Sequence, residues 1–171
     1  SQGYGGYNYH PRFFSGVVQD MIEHYGLTNE SKILDIGCGK GFMLYDFKKA
    51  LPGLSIRGID ISEYAIENCV PEVRQFLGVG DLRNLGMFED NEFDLVVCLT
   101  TAHNVELEEC KKAIKEIQRI SKNSFITVDA WRDDSEEERM RAWNLTGKTL
   151  MSVEDWKRLF SEIGYEGNYW W

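Results

Sequence analysis

The sequence has no apolar run approaching the roughly 20 residues a membrane-spanning helix needs, and no basic-then-apolar segment at its start. A cytoplasmic protein with no membrane partner is therefore the expectation. A basic excess is missing too: 19 Lys and Arg stand against 28 Asp and Glu, a net charge of −9. Such a field repels phosphate backbones and gives no stripe for counterion release, which argues against nucleic acid as a partner. Cys38, Cys69, Cys98 and Cys110 form no C-x-x-C pair, so they read as reduced thiols that pack in a core, with no metal site. Internal repeats are absent. Only residues 1–10 depart from ordinary composition, with Tyr4, Tyr7 and Tyr9 set among Gly3, Gly5 and Gly6. That segment is either a leader or a lid whose tyrosines stack on a ligand.

What remains is an ordinary globular composition, 43% hydrophobic and 27% charged over 171 residues, which suits one domain spanning residues 1–171. Apolar residues from Phe13 to Tyr25 recur at helical spacing between Pro11 and Gly26. Short apolar runs then alternate with helical patterns. Strands are predicted at residues 33–36, 55–60, 73–79, 93–99 and 124–131, and a last one at 165–171. Helices are predicted at 42–50, 62–68 and 106–121, then one opened by the acidic run 133–138, and one capped by Ser152 with Asp155 and stopped by Gly164. This alternation implies a doubly wound α/β sheet, mostly parallel and flanked by helices. In such a sheet, ligands bind outside the carboxyl ends of the strands where strand order reverses.

Several chemically useful residues fall at those ends. Asp35 precedes a loop with Gly37, Gly39 and Gly41, Asp60 ends the second strand, Asp81 follows the third, and residues 99–104 follow the fourth. Asp60 comes 19 positions after Gly41, near the interval at which an acid in nucleotide-binding α/β folds meets ribose hydroxyls. The loop spacing is not the G-x-G-x-x-G of a pyrophosphate cradle. A carboxylate just before it would oppose a phosphate and favour an ammonium, so a cationic or zwitterionic nucleoside fits better.

Ile33 to Gly41 (ILDIGCGKG), Gly58-Ile59-Asp60, Gly80-Asp81-Leu82 and the stretch from Phe93 to Asn104 together resemble the class I S-adenosylmethionine-dependent methyltransferases over about residues 32–131. The resemblance implies a Rossmann-like sheet, S-adenosyl-L-methionine as cofactor, and methyl transfer to an oxygen or nitrogen of a small-molecule acceptor. It implies that Asp35, Gly37, Cys38, Gly39 and Gly41 hold the amino-acid part, Asp60 the ribose and Asp81 the adenine. Ile61, Leu82, Leu99 and Tyr9 would complete the cofactor contacts. His103, whose ordinary pKa suits proton abstraction, is the candidate base, with a hydrogen-bonded structural role as its alternative. Tyr7, Asn104, Trp131, Arg132, Trp143 and Asn144 are the candidate acceptor contacts, and packing is the alternative for the tryptophans. The family sheet ends in a helix and an antiparallel hairpin, for which only residues 165–171 remain. An abbreviated C-terminal strand region follows, and the apolar edge at Trp170 and Trp171 suggests a homodimer. Two other readings stay open: a cofactor-binding or activator subunit without turnover, and an NAD(P)-dependent oxidoreductase, which the loop spacing and the lack of a Tyr-x-x-x-Lys pair disfavour.

Overall fold

A computed structural model describes residues 8–171. Tyr7, one of the candidate acceptor contacts, lies outside the described residues, as does most of the Gly/Tyr segment. Six strands form one sheet: β1 (Lys32–Ile36), β2 (Ser55–Asp60), β3 (Leu77–Val79), β4 (Leu95–Leu99), β5 (Ser124–Thr127) and, after a two-stranded ribbon, β8 (Asn168–Trp170). Their order is β3-β2-β1-β4-β5-β8, and every pairing is parallel. Strand order reverses between β1 and β4.

Residues that alternate along the strands divide into two apolar layers, as the two-residue pleat requires. Leu34, Ile36, Val96 and Cys98 face α4 (Leu107–Ile120) and α6 (Val153–Ile163). Ile33, Leu95 and Val97 face α1 (Ser15–Tyr25) and α2 (Phe42–Ala50). Helix α4 presents Ala113, Ile114, Ile117 and Ile120 at three-and-four spacing, all buried. Ser152 caps α6 by accepting from the Asp155 N–H, and Gly164 ends it. Trp156 of α6 is fully buried, stacks on Phe160 and donates from Nε1 to the carbonyl of Asp129 at 3.2 Å. Trp156→Phe leaves that carbonyl without its donor and opens space beside it, so a loss of about 2 kcal/mol is expected in chemical denaturation. A change within experimental error would show that the indole is not part of the support for residue 129.

Three expectations are corrected. The third strand covers only Leu77–Val79, because Pro71 starts a 3-10 turn through Phe76 that buries Val73. The fifth strand stops at Thr127: the chain turns at Asp129, and Ala130–Trp131 (β6) pairs instead with Met151–Ser152 (β7), enclosing α5 (Asp134–Trp143). The last strand, Asn168–Trp170, falls within the residues 165–171 expected for it and pairs parallel with β5. Helix α1 also begins at Ser15, after a separate 3-10 turn at Pro11–Phe13.

Candidate functional site

The turn out of β1 is built so that the main chain, with no side chain on it, borders a hollow. Gly37 has φ +78°, and a Cβ placed there would stand 2.0 Å from Thr101 Oγ1 and 2.8 Å from Thr101 Cβ. The loop after β4 thus presses directly on the loop after β1. Gly37 N and Cys38 N both donate to the Ile59 carbonyl, which ties the same loop to β2. Asp60 finishes the arrangement: Oδ2 accepts from Gly39 N at 2.7 Å and Oδ1 from Ser62 N at 2.8 Å. Both oxygens keep a second lone-pair direction for a ligand hydroxyl.

A hollow of about 200 Å³ opens at these carboxyl ends, lined by Gly37, Asp60, Ile61, Asp81, Leu82 and Asn104 with their neighbours Thr101 and Val105. Its mouth lies where strand order reverses, as the sequence reading expects for a nucleotide. Asp35, two residues before Gly37 in β1, is 4% exposed. Burial, with the Asp60 charge adding to it, pushes the Asp35 carboxyl up to about 7. A positive charge in the hollow would oppose both effects. Asn104 donates from Nδ2 to the Thr100 carbonyl at 3.0 Å, while its Oδ1 is buried with no partner among the described residues. Such an acceptor costs free energy unless a ligand supplies a donor. Thr100 itself has φ +47°, a strained conformation for a β-branched residue, held by its N–H donating to Thr127 O and Oγ1.

The remaining candidates have these surroundings. Cys38 is buried against α2, and its thiol is pushed up by burial and by the charges of Asp35 and Asp60. Leu99 is half-buried at the end of β4. Tyr9 rests on α2, edge-on to Tyr45, with its hydroxyl donating to Asp46. Asp81 borders the hollow but is held by Arg83, whose Nε stands 2.9 Å from Oδ2, and that pair keeps its carboxyl below the usual range. Arg132 is exposed and bonded to Glu136, while Arg141 lies over the half-buried Trp131 ring and Trp143 is 60% exposed. His103 is buried with both ring nitrogens toward Asp129: Nδ1 accepts from the Asp129 N–H, and Nε2 lies 3.2 Å from Oδ2. Asn144 donates to the same Oδ2 at 2.7 Å. The ring of His103, the candidate base, is thus held against the carboxylate of Asp129, a residue not singled out from the sequence. Asp129 was hidden because residues 124–131 read as one continuous strand; Thr101 stood within the stretch 99–104 but with no role of its own.

A family model described as a methyltransferase domain matches residues 34–126, more than half of the chain. A Haemophilus influenzae protein of uncharacterised role is 25% identical over 158 residues, which cover 85% of this chain and 62% of that one. The chain therefore spans about three fifths of that relative's length. The Rickettsia bellii ubiquinone biosynthesis O-methyltransferase is 26% identical over 98 residues, 53% of this chain and 38% of its own. Among solved structures, YcgJ of Bacillus subtilis superposes with a TM-score of 0.69 at 21% identity, covering 86% of this chain and 67% of that one. At that identity the likeness concerns the fold.

Proposed function

The chain belongs to the methyltransferase-domain family, within the class I S-adenosylmethionine-dependent methyltransferases, and on that premise we propose that it moves a methyl group from S-adenosylmethionine to an oxygen or nitrogen of a small molecule. The observation that carries this reading is the hollow at the strand reversal, bordered by bare main chain at Gly37 and by the carboxylate of Asp60. When bound there, the cofactor supplies a methyl carbon already made electrophilic by its sulfonium. What is left to the protein is binding, alignment and exclusion of water. Asp60 receives the ribose hydroxyls on its remaining lone pairs. Asp35 and Asp60 together provide the negative field that suits an ammonium and a sulfonium. Asn104 offers its unpartnered oxygen to a donor on either ligand. The adenine meets Leu82 and reaches Asp81 by sharing it with Arg83. The O-methyltransferase among the relatives supports oxygen as the receiving atom.

Calorimetric titration tests this reading. Wild-type protein is expected to bind S-adenosylhomocysteine but not NAD. Asp60→Ala, with its melting temperature checked, is expected to weaken that affinity about 10- to 100-fold, as loss of a charged hydrogen-bond acceptor does. Unchanged affinity in a folded Asp60→Ala protein would remove the assignment.

A further inference from the structure

Among the described residues, the carboxylate of Asp129 is the one acid at the strand ends that is fixed on one oxygen and open on the other. Oδ2 takes the Asn144 Nδ2 at 2.7 Å and faces His103 Nε2 at 3.2 Å, and Oδ1 has no partner among the described residues. The side chain is 17% exposed, so the free oxygen borders solvent, while the histidine behind it is 2% exposed. Nδ1 of His103 accepts from the Asp129 N–H, which leaves the ring proton on Nε2, toward the carboxylate. Both partners are themselves secured. The His103 carbonyl accepts from Lys148 N and Thr149 N, and Asn144 Oδ1 accepts from Thr146 N and Gly147 N. The excursion between β5 and α6 is therefore stitched to the turn after β4, and what the stitching holds still is this one carboxylate.

Its place across the sheet is informative. Asp60 ends β2 and Asp129 follows β5, three inter-strand steps or roughly 14 Å apart. That span has room for a ribose at one end, a sulfonium over the β1 and β4 loops, and an acceptor at the other end. We propose, resting on the methyltransferase reading above, that Asp129 is the catalytic base for a hydroxyl acceptor, with His103 and Asn144 as its positioning residues. The acceptor's O–H donates to Asp129 Oδ1. As the acceptor oxygen forms its bond to the methyl carbon, the carbon–sulfur bond breaks with its electron pair going to sulfur. The hydroxyl proton passes to the carboxylate, which then releases it to water. The products are the methyl ether and the neutral thioether, so charge and atoms balance.

The chemistry favours a hydroxyl over other acceptors. An oxygen under methylation becomes a far stronger acid than a carboxylic acid, so transfer to Asp129 is downhill late in the step. An ammonium has no lone pair to attack with, and a carboxylate is too weak a base to expose one readily. An anionic acceptor would meet Asp129 without relief, because Arg132, the nearest cation in sequence, is already committed to Glu136 at 2.7 Å.

The test uses the full chain, Asp129→Asn, Asp129→Glu and Asn144→Ala. Affinity for S-adenosylhomocysteine is measured first by calorimetry. Its absence in the wild type would remove the underlying reading, whereas equal affinity in all four proteins isolates the role of Asp129. Methyl-labelled S-adenosylmethionine is then offered with catechol, phenol and benzyl alcohol, and with benzylamine and aniline. The expected result is transfer to hydroxyl compounds, with kcat down about 100-fold or more in Asp129→Asn, partial rescue in Asp129→Glu, and loss of the acid limb of the pH–rate profile. A readout independent of turnover is the absorbance of 4-nitrophenol added to the S-adenosylhomocysteine complex. Wild-type protein should hold the probe as the neutral phenol, and Asp129→Asn should shift it toward phenolate. Transfer to amines alone, no transfer to any hydroxyl compound, or an Asp129→Asn rate within threefold of wild type would each overturn the proposal.

Discussion

Replacing Gly37 with alanine should abolish cofactor binding and destabilise the fold by about 2 to 5 kcal/mol. Two costs combine. An alanine at φ +78° carries the left-handed penalty of about 1–2 kcal/mol, and its methyl group would overlap Thr101, which adds about 1–3 kcal/mol of overpacking. Rotating the Thr101 side chain gives no escape, since its Cβ lies 2.8 Å from the added atom, as deep in the overlap as Cγ2 at 2.7 Å. The loops after β1 and β4 must separate, and those loops border the hollow. Gly39 provides the control: its φ is +54°, but a Cβ there meets nothing within 4 Å. Gly39→Ala should cost only about 1–2 kcal/mol and leave a folded protein. Urea denaturation of the two variants separates crowding from backbone strain, and equal losses would mean that the approach of Thr101 is not tight.

The second large effect is a pH dependence centred on Asp35. In the unfolded chain its carboxyl has an ordinary pKa near 4, whereas burial in β1 beside Asp60 raises it to about 7. Between those values the folded protein holds a proton that the unfolded chain has released. Stability from this group is therefore fully present below about pH 4 and declines as pH rises to about 7, by about 4 kcal/mol in all. Asp35→Asn removes the ionisation, so relative to wild type it should gain stability at pH 8 and gain nothing at pH 4. Denaturation curves at several pH values measure the difference, and a constant difference would contradict the origin given. Binding should mirror this. A cationic cofactor favours the ionised carboxylate, so its affinity should fall by up to about tenfold per pH unit below 7 and binding should release a proton. In Asp35→Asn both effects should vanish.

The sequence exposed the parts of the molecule that local chemistry punctuates. The bounds of α2 follow from Gly41 and the Pro52-Gly53 turn, and Asp60 ends β2 as expected. Ser152 and Asp155 marked the start of α6 because a cap is a contact between near neighbours. Residues 71–79 misled because the apolar spacing of Val73, Phe76 and Val79 tolerates either a strand or a turn, and the fixed φ of Pro71 selected the turn. The bend at residue 129 had no local signal. It depends on His103, 26 positions earlier, and on Asn144, 15 positions later. The site divides in the same way. The glycines and acids beside the first three strands stand out in the sequence one by one, whereas the approach of Thr101 to Gly37 arises only when β1 and β4 lie side by side, and the turn of His103 onto Asp129 only when β4 and β5 do. The partner of Arg132 was legible too, since Glu136 follows at the four-residue helical interval.

The most direct measurement is a crystal structure of the chain with S-adenosylhomocysteine. The nucleoside is expected in the hollow beside Gly37, with both ribose hydroxyls donating to Asp60 and the sulfur over the loops after β1 and β4. A ligand bound elsewhere, or one seated there with its ribose away from Asp60, would contradict this placement.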